Sequence, residues 1–284
     1  MEIIDGRKIS EKIKNKLAKE VFQLIKDGYR QPNLAIILVG DREDSKLYVS
    51  LKEKVAKEVG IDTSLYLITE NDSEDSVIET INFLNNDVQV DGILIQLPLP
   101  KKFNTDKILS IIDPKKDVDG FNLNSKLFSS PVLLAIKNSL DETKVDLKNK
   151  KIFLFYNSEI FKEEVEHFFV KQNLIFNSVS SKELDQAIAG ESLETLKKEV
   201  RKNNILISAI GRAEFIDKSF LEDEMILLDV GINKKDGKVC GDINFFDTRS
   251  INGWVTPVPG GIGPMTVASL LGNVLEAYLL KIKK

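Results

Sequence analysis

The run NLAIILVG (33–40) decides the fold. It is apolar and branched almost throughout and closes on a glycine, which suits a strand buried on both faces of a parallel sheet. Upstream, Ile9, Ile13, Leu17, Val21 and Leu24 recur every three or four positions, the period of an amphipathic helix over residues 8–28, with Gly28 as its stop. Downstream, a helix is expected from near Glu43, and TSLYLIT (63–69) and DGILIQLPLP (91–100) read as further strands, with Ser73 to Leu84 as the helix between them. This βαβαβ alternation predicts a helix-covered, mostly parallel sheet whose ligands lie beyond the carboxyl ends of its strands.

After Gly120 the pattern restarts. A connecting helix (Val132 to Leu140) leads to four apolar runs, KKIFLFY (150–156), NLIFNSV (173–179), NNILISAIG (203–211) and EMILLDVGIN (224–233). VTPVPGGIGPMT (255–266), rich in proline and glycine, then precedes a closing helix, Val267 to Leu280. The expected class is α/β, with residues 1–120 plus 265–284 as one domain and 121–264 as another. No internal repeat or low-complexity tract interrupts this order.

A chain of 284 residues that is 42% apolar can bury a large core. A 30% share of charged residues with a net charge of only -4 makes no bulk electrostatic case for nucleic acid or an anionic membrane, leaving a small molecule as the expected partner. One cysteine, Cys240, forms no internal disulfide, and one histidine beside it assembles no soft-ligand metal cluster, so no metal and a reducing cytoplasm are expected. The N-terminal MEIIDGRKIS lacks a basic region followed by an apolar run, and no stretch approaches eighteen uninterrupted apolar residues.

Tyr48 and Lys52, four apart on the expected helix, project from one face and can line one pocket. Spacing alone more often describes a solvated lysine, here among Lys46, Lys54 and Lys57. Gln96 ends the run GILIQ, where a central strand faces a ligand cleft; a buried amide there must find partners, in a site or in the core. DVDG (117–120) is by itself a turn, and it lacks the glutamate an EF-hand loop would need. PGGIGPMT (259–266) offers backbone N–H groups to an anion or a polar ring, or is a plain turn. His167, on the apolar stretch VEHFFV, reads as structural.

Taken together, YVSLK (48–52), DGILIQLPLP (91–100), KDVDGFN (116–122), LLDVGIN (227–233), GDINFFD (241–247) and TPVPGGIGPMT (256–266) resemble the methylenetetrahydrofolate dehydrogenase/cyclohydrolase family over nearly the whole chain. The resemblance implies two α/β domains flanking a folate cleft, the second a Rossmann-like doubly wound parallel sheet, in a cytoplasmic homodimer acting on tetrahydrofolate derivatives. It implies that Lys52 is the cyclohydrolase acid/base group, that Gln96 positions and tunes it, that Tyr48 packs on the folate, and that Asp119 grips the pterin edge. Pro259, Gly260 and Gly261 are matched to the substrate side, and Ser158, Lys182, Ile232, Gly263 and Thr266 to an NADP site.

The chain departs from the family where the dinucleotide phosphates would lie. In place of a Gly-x-Ser-x-x-x-Gly-[Arg/Lys]-Pro loop stands FLFYNSEIFKEEV, with Tyr156 and Lys162 at the glycine positions and only Ser158 retained. Bulky side chains obstruct close backbone approach, and Glu159, Glu163 and Glu164 are expected to repel phosphate. The family's Pro-Cys-Thr-Pro string reads FSSP (128–131), and its ribose-phosphate segment reads VSSKE, where Lys182 alone supplies charge. The leading expectation is a methenyl-tetrahydrofolate cyclohydrolase with weak or absent NADP-dependent dehydrogenase activity. The alternatives are a fully bifunctional enzyme with an atypical cofactor mode and a non-catalytic folate-binding subunit.

Overall fold

The computed structural model describes residues 1–122, 127–190 and 192–283. In chain order its elements begin with β1 (Glu2–Ile3), α1 (Gly6–Lys26), β2 (Asn33–Val39), α2 (Glu43–Val59), β3 (Asp62–Ile68), α3 (Glu74–Asn86), β4 (Gly92–Ile95), α4 (Thr105–Ser110) and α5 (Pro131–Thr143). They continue with β5 (Lys151–Tyr156), α6 (Glu159–Val170), β6 (Ile175–Ser180), α7 (Ser181–Ala189), α8 (Leu193–Arg201), β7 (Ile205–Ala209), β8 (Met225–Asp229), β9 (Asn233–Lys235), β10 (Lys238–Cys240), β11 (Gly253–Val255) and α9 (Ile262–Ile282).

Two compact units result, Ser10–Pro131 with Thr266–Lys284, and Met1–Ile9 with Val132–Met265. The border falls at Pro131 rather than at residue 120. Residues 1–9 join the second unit because β1 pairs in parallel with β11, Glu2 opposite Trp254 and Ile3 opposite Val255.

In the first unit β2 is the middle of a three-stranded parallel sheet, ordered β3-β2-β4. Its alternate residues serve two cores, as the two-residue period of a strand dictates. Leu34, Ile36 and Leu38 pack with Val21, Val49, Leu271, Val274 and Tyr278 from α1, α2 and α9, whereas Ala35, Ile37 and Val39 pack with Val77, Ile81 and Leu84 of α3. Each such leucine or isoleucine contributes about 1.5–3 kcal/mol by leaving water, so the run that reads as doubly buried is so. Ile9, Leu17 and Val21 of the predicted first helix are buried as well. By length and apolar composition α9 would cross a membrane, yet Leu270, Leu271, Val274 and Leu275 are buried in this core.

The second unit is a six-stranded sheet ordered β1-β11-β8-β7-β5-β6, parallel in every pairing. Strand order reverses at β5, with β6 on one side and β7 on the other, the doubly wound arrangement expected of a Rossmann-like sheet. The antiparallel hairpin β9-β10 turns on Asp236 and Gly237, both at positive φ, the Asp-Gly signal of a tight hairpin. The closing helix starts at Ile262 rather than Val267. Pro264 is tolerated in its first turn, where a missing N–H leaves no bond unmade.

Candidate active site

The register of the first unit's sheet places the candidate lysine. Ile37 of β2 lies opposite Ile95 of β4, and the next backbone N–H, that of Gln96, donates to the carbonyl of Ile37 at 2.9 Å. Gln96 thus sits at the carboxyl end of β4, beside the point where strand order reverses, and its side chain is buried. Its Nε2 donates to the carbonyl of Leu97 at 2.7 Å, which turns Oε1 to accept from Lys52 Nζ at 2.8 Å. Lys52, half-buried on α2, has its pKa lowered from the ordinary lysine value by burial, with the nearby Asp119 carboxylate partly opposing the shift. Tyr48 lies one turn earlier on α2, exposed.

The DVDG turn divides its two carboxylates. Asp117 faces inward, accepting from the Asn122 N–H at 2.7 Å, and burial raises its pKa. Asp119 is half-buried on the side that influences Lys52. Asn273 of α9 donates to the carbonyls of Val118 at 2.8 Å and Ser129 at 2.9 Å, locking this turn to the FSSP segment. Gly120, at φ 71°, admits no side chain, because a Cβ there would meet the Phe128 carbonyl oxygen at 2.8 Å. Asn273 is a positioning residue that the sequence reading missed.

At the strand ends of the second unit, a pair of buried carboxylates organises the LLDVGIN and GDINFFD motifs. Asp229 accepts from the backbone N–H groups of Gly231 and Asp242 (3.0 and 3.1 Å) and of Ile243 (2.8 Å). Burial and the neighbouring Asp242 push its pKa up to about 7, against those N–H bonds. Asp242 accepts from Ser208 Oγ, the Ile210 and Arg212 N–H groups, and Asn233 Nδ2, at 2.8–2.9 Å. The Asp229 N–H donates to Thr256 Oγ1 at 2.8 Å, tying β8 to the turn that carries Pro259, Gly260 and Gly261. Gly261 is required there, since a Cβ would meet the Pro257 carbonyl oxygen at 2.6 Å.

The residues matched to NADP are spread over several elements. Ile232 is exposed after β8, while Gly263 and Thr266 lie in the first turns of α9. Lys182 is exposed in the first turn of α7, and Ser158 caps α6, accepting from the Phe161 N–H at 3.5 Å. The loop after β5 is filled as expected: Tyr156 is buried and its hydroxyl donates to Glu159 Oε1 at 3.1 Å. Glu164, however, is buried within the unit and so is removed from any phosphate contact, and Lys162 is paired with Glu166 at 2.6 Å. His167 is exposed on α6. Among the described residues, no group of three His, Cys, Asp or Glu side chains is arranged to hold a metal ion.

Fold and site together define a two-unit α/β enzyme, with a desolvated lysine at the strand ends of one unit and a dinucleotide-type sheet in the other. The chain belongs to the tetrahydrofolate dehydrogenase/cyclohydrolase family, whose catalytic-domain model matches residues 4–119 and whose NAD(P)-binding-domain model matches residues 132–282. It is 39% identical over 289 aligned positions to the bifunctional protein FolD of Thermodesulfovibrio yellowstonii, covering 99% of this chain and 97% of that one. The crystal structure of the bifunctional methylenetetrahydrofolate dehydrogenase/cyclohydrolase from Campylobacter jejuni is similar at a TM-score of 0.91 and 32% identity, over 99% of both chains. The Trypanosoma brucei dehydrogenase-cyclohydrolase, solved with NADP cofactor and inhibitor, aligns at a TM-score of 0.90 and 26% identity, over 99% of this chain and 98% of that one. The cofactor class of the second unit is therefore NAD(P). These comparisons support a bifunctional family rather than one with the oxidative half lost.

Proposed function

We propose that the chain hydrolyses 5,10-methenyltetrahydrofolate to 10-formyltetrahydrofolate at Lys52. The observation that carries this reading is the 2.8 Å contact between Lys52 Nζ and Gln96 Oε1 on an amine whose charged form burial disfavours. A neutral amine that donates one N–H to Gln96 keeps its lone pair for a water molecule. Water adds to the cationic amidinium carbon while Lys52 takes one of its protons; Lys52 then returns that proton to the departing ring nitrogen as the C–N bond breaks, and the added hydroxyl releases its remaining proton to solvent to leave the formyl carbonyl, so one proton is released overall. Asp119 accepts hydrogen bonds from the pterin amino and ring N–H groups, and Tyr48 offers an aromatic face to the folate.

The test follows loss of methenyl-tetrahydrofolate absorbance above the spontaneous rate in wild type and Lys52→Met. Wild type is expected to exceed the spontaneous rate and the variant to fall to it while still binding folate. Equal rates in the two proteins would remove Lys52 from this role.

A second reading adds NADP-dependent oxidation of methylene-tetrahydrofolate, supported by the match of the NAD(P)-binding domain and of bifunctional relatives across the whole chain. The second unit's strand ends fit the cofactor at one place in particular: Ser181 Oγ, at the carboxyl end of β6, is buried without a hydrogen-bond partner among the described residues. Bound NADP would supply a hydride acceptor. Ser158, Lys182, Ile232, Gly263 and Thr266 are the residues proposed for the cofactor, and Pro259, Gly260 and Gly261 are proposed for the substrate. A purely folate-binding subunit is the weakest reading, because binding alone gives no use for a desolvated lysine held by an amide.

We further propose a homodimer and a cytoplasmic setting. The dimer is supported by Leu65 and Leu67 of the edge strand β3 and Leu47 and Leu51 of α2, all exposed. Sedimentation of wild type and Leu67→Glu tests it, the variant being expected to run as a monomer. A single half-buried thiol, Cys240, supports the reducing compartment.

A further inference from the structure

We infer that Lys116 is a positioning residue for the folate: its ammonium fastens the DVDG turn to the carboxyl end of α3 and so fixes where Asp119 stands. This rests on the proposed role of Asp119 as the pterin anchor and names the group that holds that anchor in place.

Residues 116–118 extend the first unit's sheet beyond β4. The Lys116 carbonyl accepts from the Ile93 N–H at 2.7 Å, and Asp117 lies opposite Ile93 in parallel register. A single backbone hydrogen bond of this kind contributes little net stability. The side chain supplies the second hold. Lys116 Nζ donates to the carbonyls of Leu84 at 2.7 Å, Asn85 at 2.9 Å and Asp87 at 2.7 Å, which takes up all three N–H groups of an ammonium. These carbonyls lie at and just past the end of α3, where a helix leaves acceptors unmatched and carries partial negative charge. The last turn of α3 contains no basic residue of its own, so the cation comes from Lys116, beyond β4.

Two features separate this from an ordinary helix cap. An ammonium with every donor engaged has none left for a ligand, so its effect on folate must travel through the chain. The path is short. Val118 is fully buried with Leu94, Leu271 and Val274, and its carbonyl accepts from Asn273 of α9 at 2.8 Å. The turn is thus held by α9 from one face of the sheet and by α3 from the other, and Asp119 follows directly. Asn85 also ties α3 to this loop, donating to the Ile111 carbonyl at 2.8 Å and accepting from the Asp113 N–H at 2.9 Å, but both points lie further from Asp119 than Lys116 does. Without the Lys116 bonds the Asp119 carboxylate loses its nearest hold on the α3 face, and hydrogen bonds to the pterin weaken as their alignment is lost.

The test is initial-rate kinetics of methenyl-tetrahydrofolate hydrolysis by the full-length wild type, Lys116→Met, Lys116→Arg, Asp119→Ala and the variant carrying both Lys116→Met and Asp119→Ala. Rates are taken on the plateau of the pH profile, where Lys52 has the same protonation in each protein. Lys116→Met is expected to raise KM about 10-fold with kcat within about 2-fold, because the anchor is weakened for bound substrate and transition state alike. Lys116→Arg, which keeps charge and donors for the same carbonyls, should recover most of that loss. The double variant should match Asp119→Ala, since two groups acting through one contact do not add. Asp91→Ala, which weakens the same unit at the opposite end of β4, should leave KM unchanged. Loss of heat stability in Lys116→Met at wild-type KM, or a KM penalty that multiplies with that of Asp119→Ala, would overturn the assignment. If Lys116→Met does not fold, Lys116→Gln, which keeps donors for part of the carbonyl set, undergoes the same two comparisons. An unchanged KM in Asp119→Ala alone would instead remove the pterin anchor itself, and shows before Lys116 is altered.

Discussion

Replacing Gln96 by glutamate leaves its shape and places a charge beside Lys52. In the wild type a neutral oxygen accepts from Nζ at 2.8 Å; in Gln96→Glu a charged oxygen occupies that place. At an effective dielectric of about 20, two unit charges so close attract by roughly 6 kcal/mol. Burial of the pair consumes much of this, and an adjacent opposite charge typically shifts a pKa by about 1–3 units, or roughly 1.4–4 kcal/mol. The lysine pKa, lowered by burial in the wild type, should therefore rise. At any pH below it, the population of neutral amine falls about 10- to 1000-fold. The assay is cyclohydrolase rate against pH, with the spontaneous reaction subtracted. The rising limb should move to higher pH, with the rate recovering on alkalinisation. An unmoved limb, a loss independent of pH, or faster turnover at neutral pH would refute the base role.

Three further outcomes follow from buried charge. Lys52→Met should be inactive yet more heat-stable, by about 2–4 °C, because at neutral pH the native state disfavours a charged amine that the unfolded chain carries freely; differential scanning calorimetry reads this, and a lower Tm would contradict the burial-lowered pKa. Asp229, raised to about 7 in the native state from 3.8, is the opposite case: the native state holds its proton more tightly. Its contribution is fully present below pH ~4 and is lost as pH rises to about 7, by up to about 4 kcal/mol, so that part of the slope of urea-unfolding stability against pH should vanish in Asp229→Asn. Asp91, buried at the start of β4, accepts from both Arg30 guanidinium nitrogens at 2.6–2.7 Å and from the Asn33 N–H at 2.9 Å. Asp91→Ala should cost about 2–3 kcal/mol in urea unfolding, with cyclohydrolase activity retained below the transition.

Some of this architecture is legible because it repeats locally. The two cores flanking β2 are written into NLAIILVG by a two-residue period, and the first helix into Ile9, Ile13, Leu17, Val21 and Leu24 by a spacing near 3.6. The alternation of strands and helices in the second unit likewise implies an α/β sheet, whereas its dinucleotide-type order is what the family resemblance implies. Helix α9 shows the limit of such reading: its proline and glycines suggest a turn as far as Thr266, but a proline in a first helical turn breaks nothing, and the helix begins at Ile262.

The chemistry belongs to the tertiary structure. Lys52 on its own helix is indistinguishable from its solvated neighbours; parallel pairing of β2 with β4 puts Gln96, 44 positions away, against it, and the amine is partly desolvated there. Asp229 and Asp242 stand in the sequence only as parts of an apolar run and a family-like string until strand ends gather backbone N–H groups around them. Asn273 reads as one polar residue in an apolar helix until it meets carbonyls 155 and 144 positions earlier. Periodicity records which side of an element faces apolar surroundings, whereas desolvation and hydrogen-bond partnership depend on which distant elements close over a group, and no local spacing encodes that.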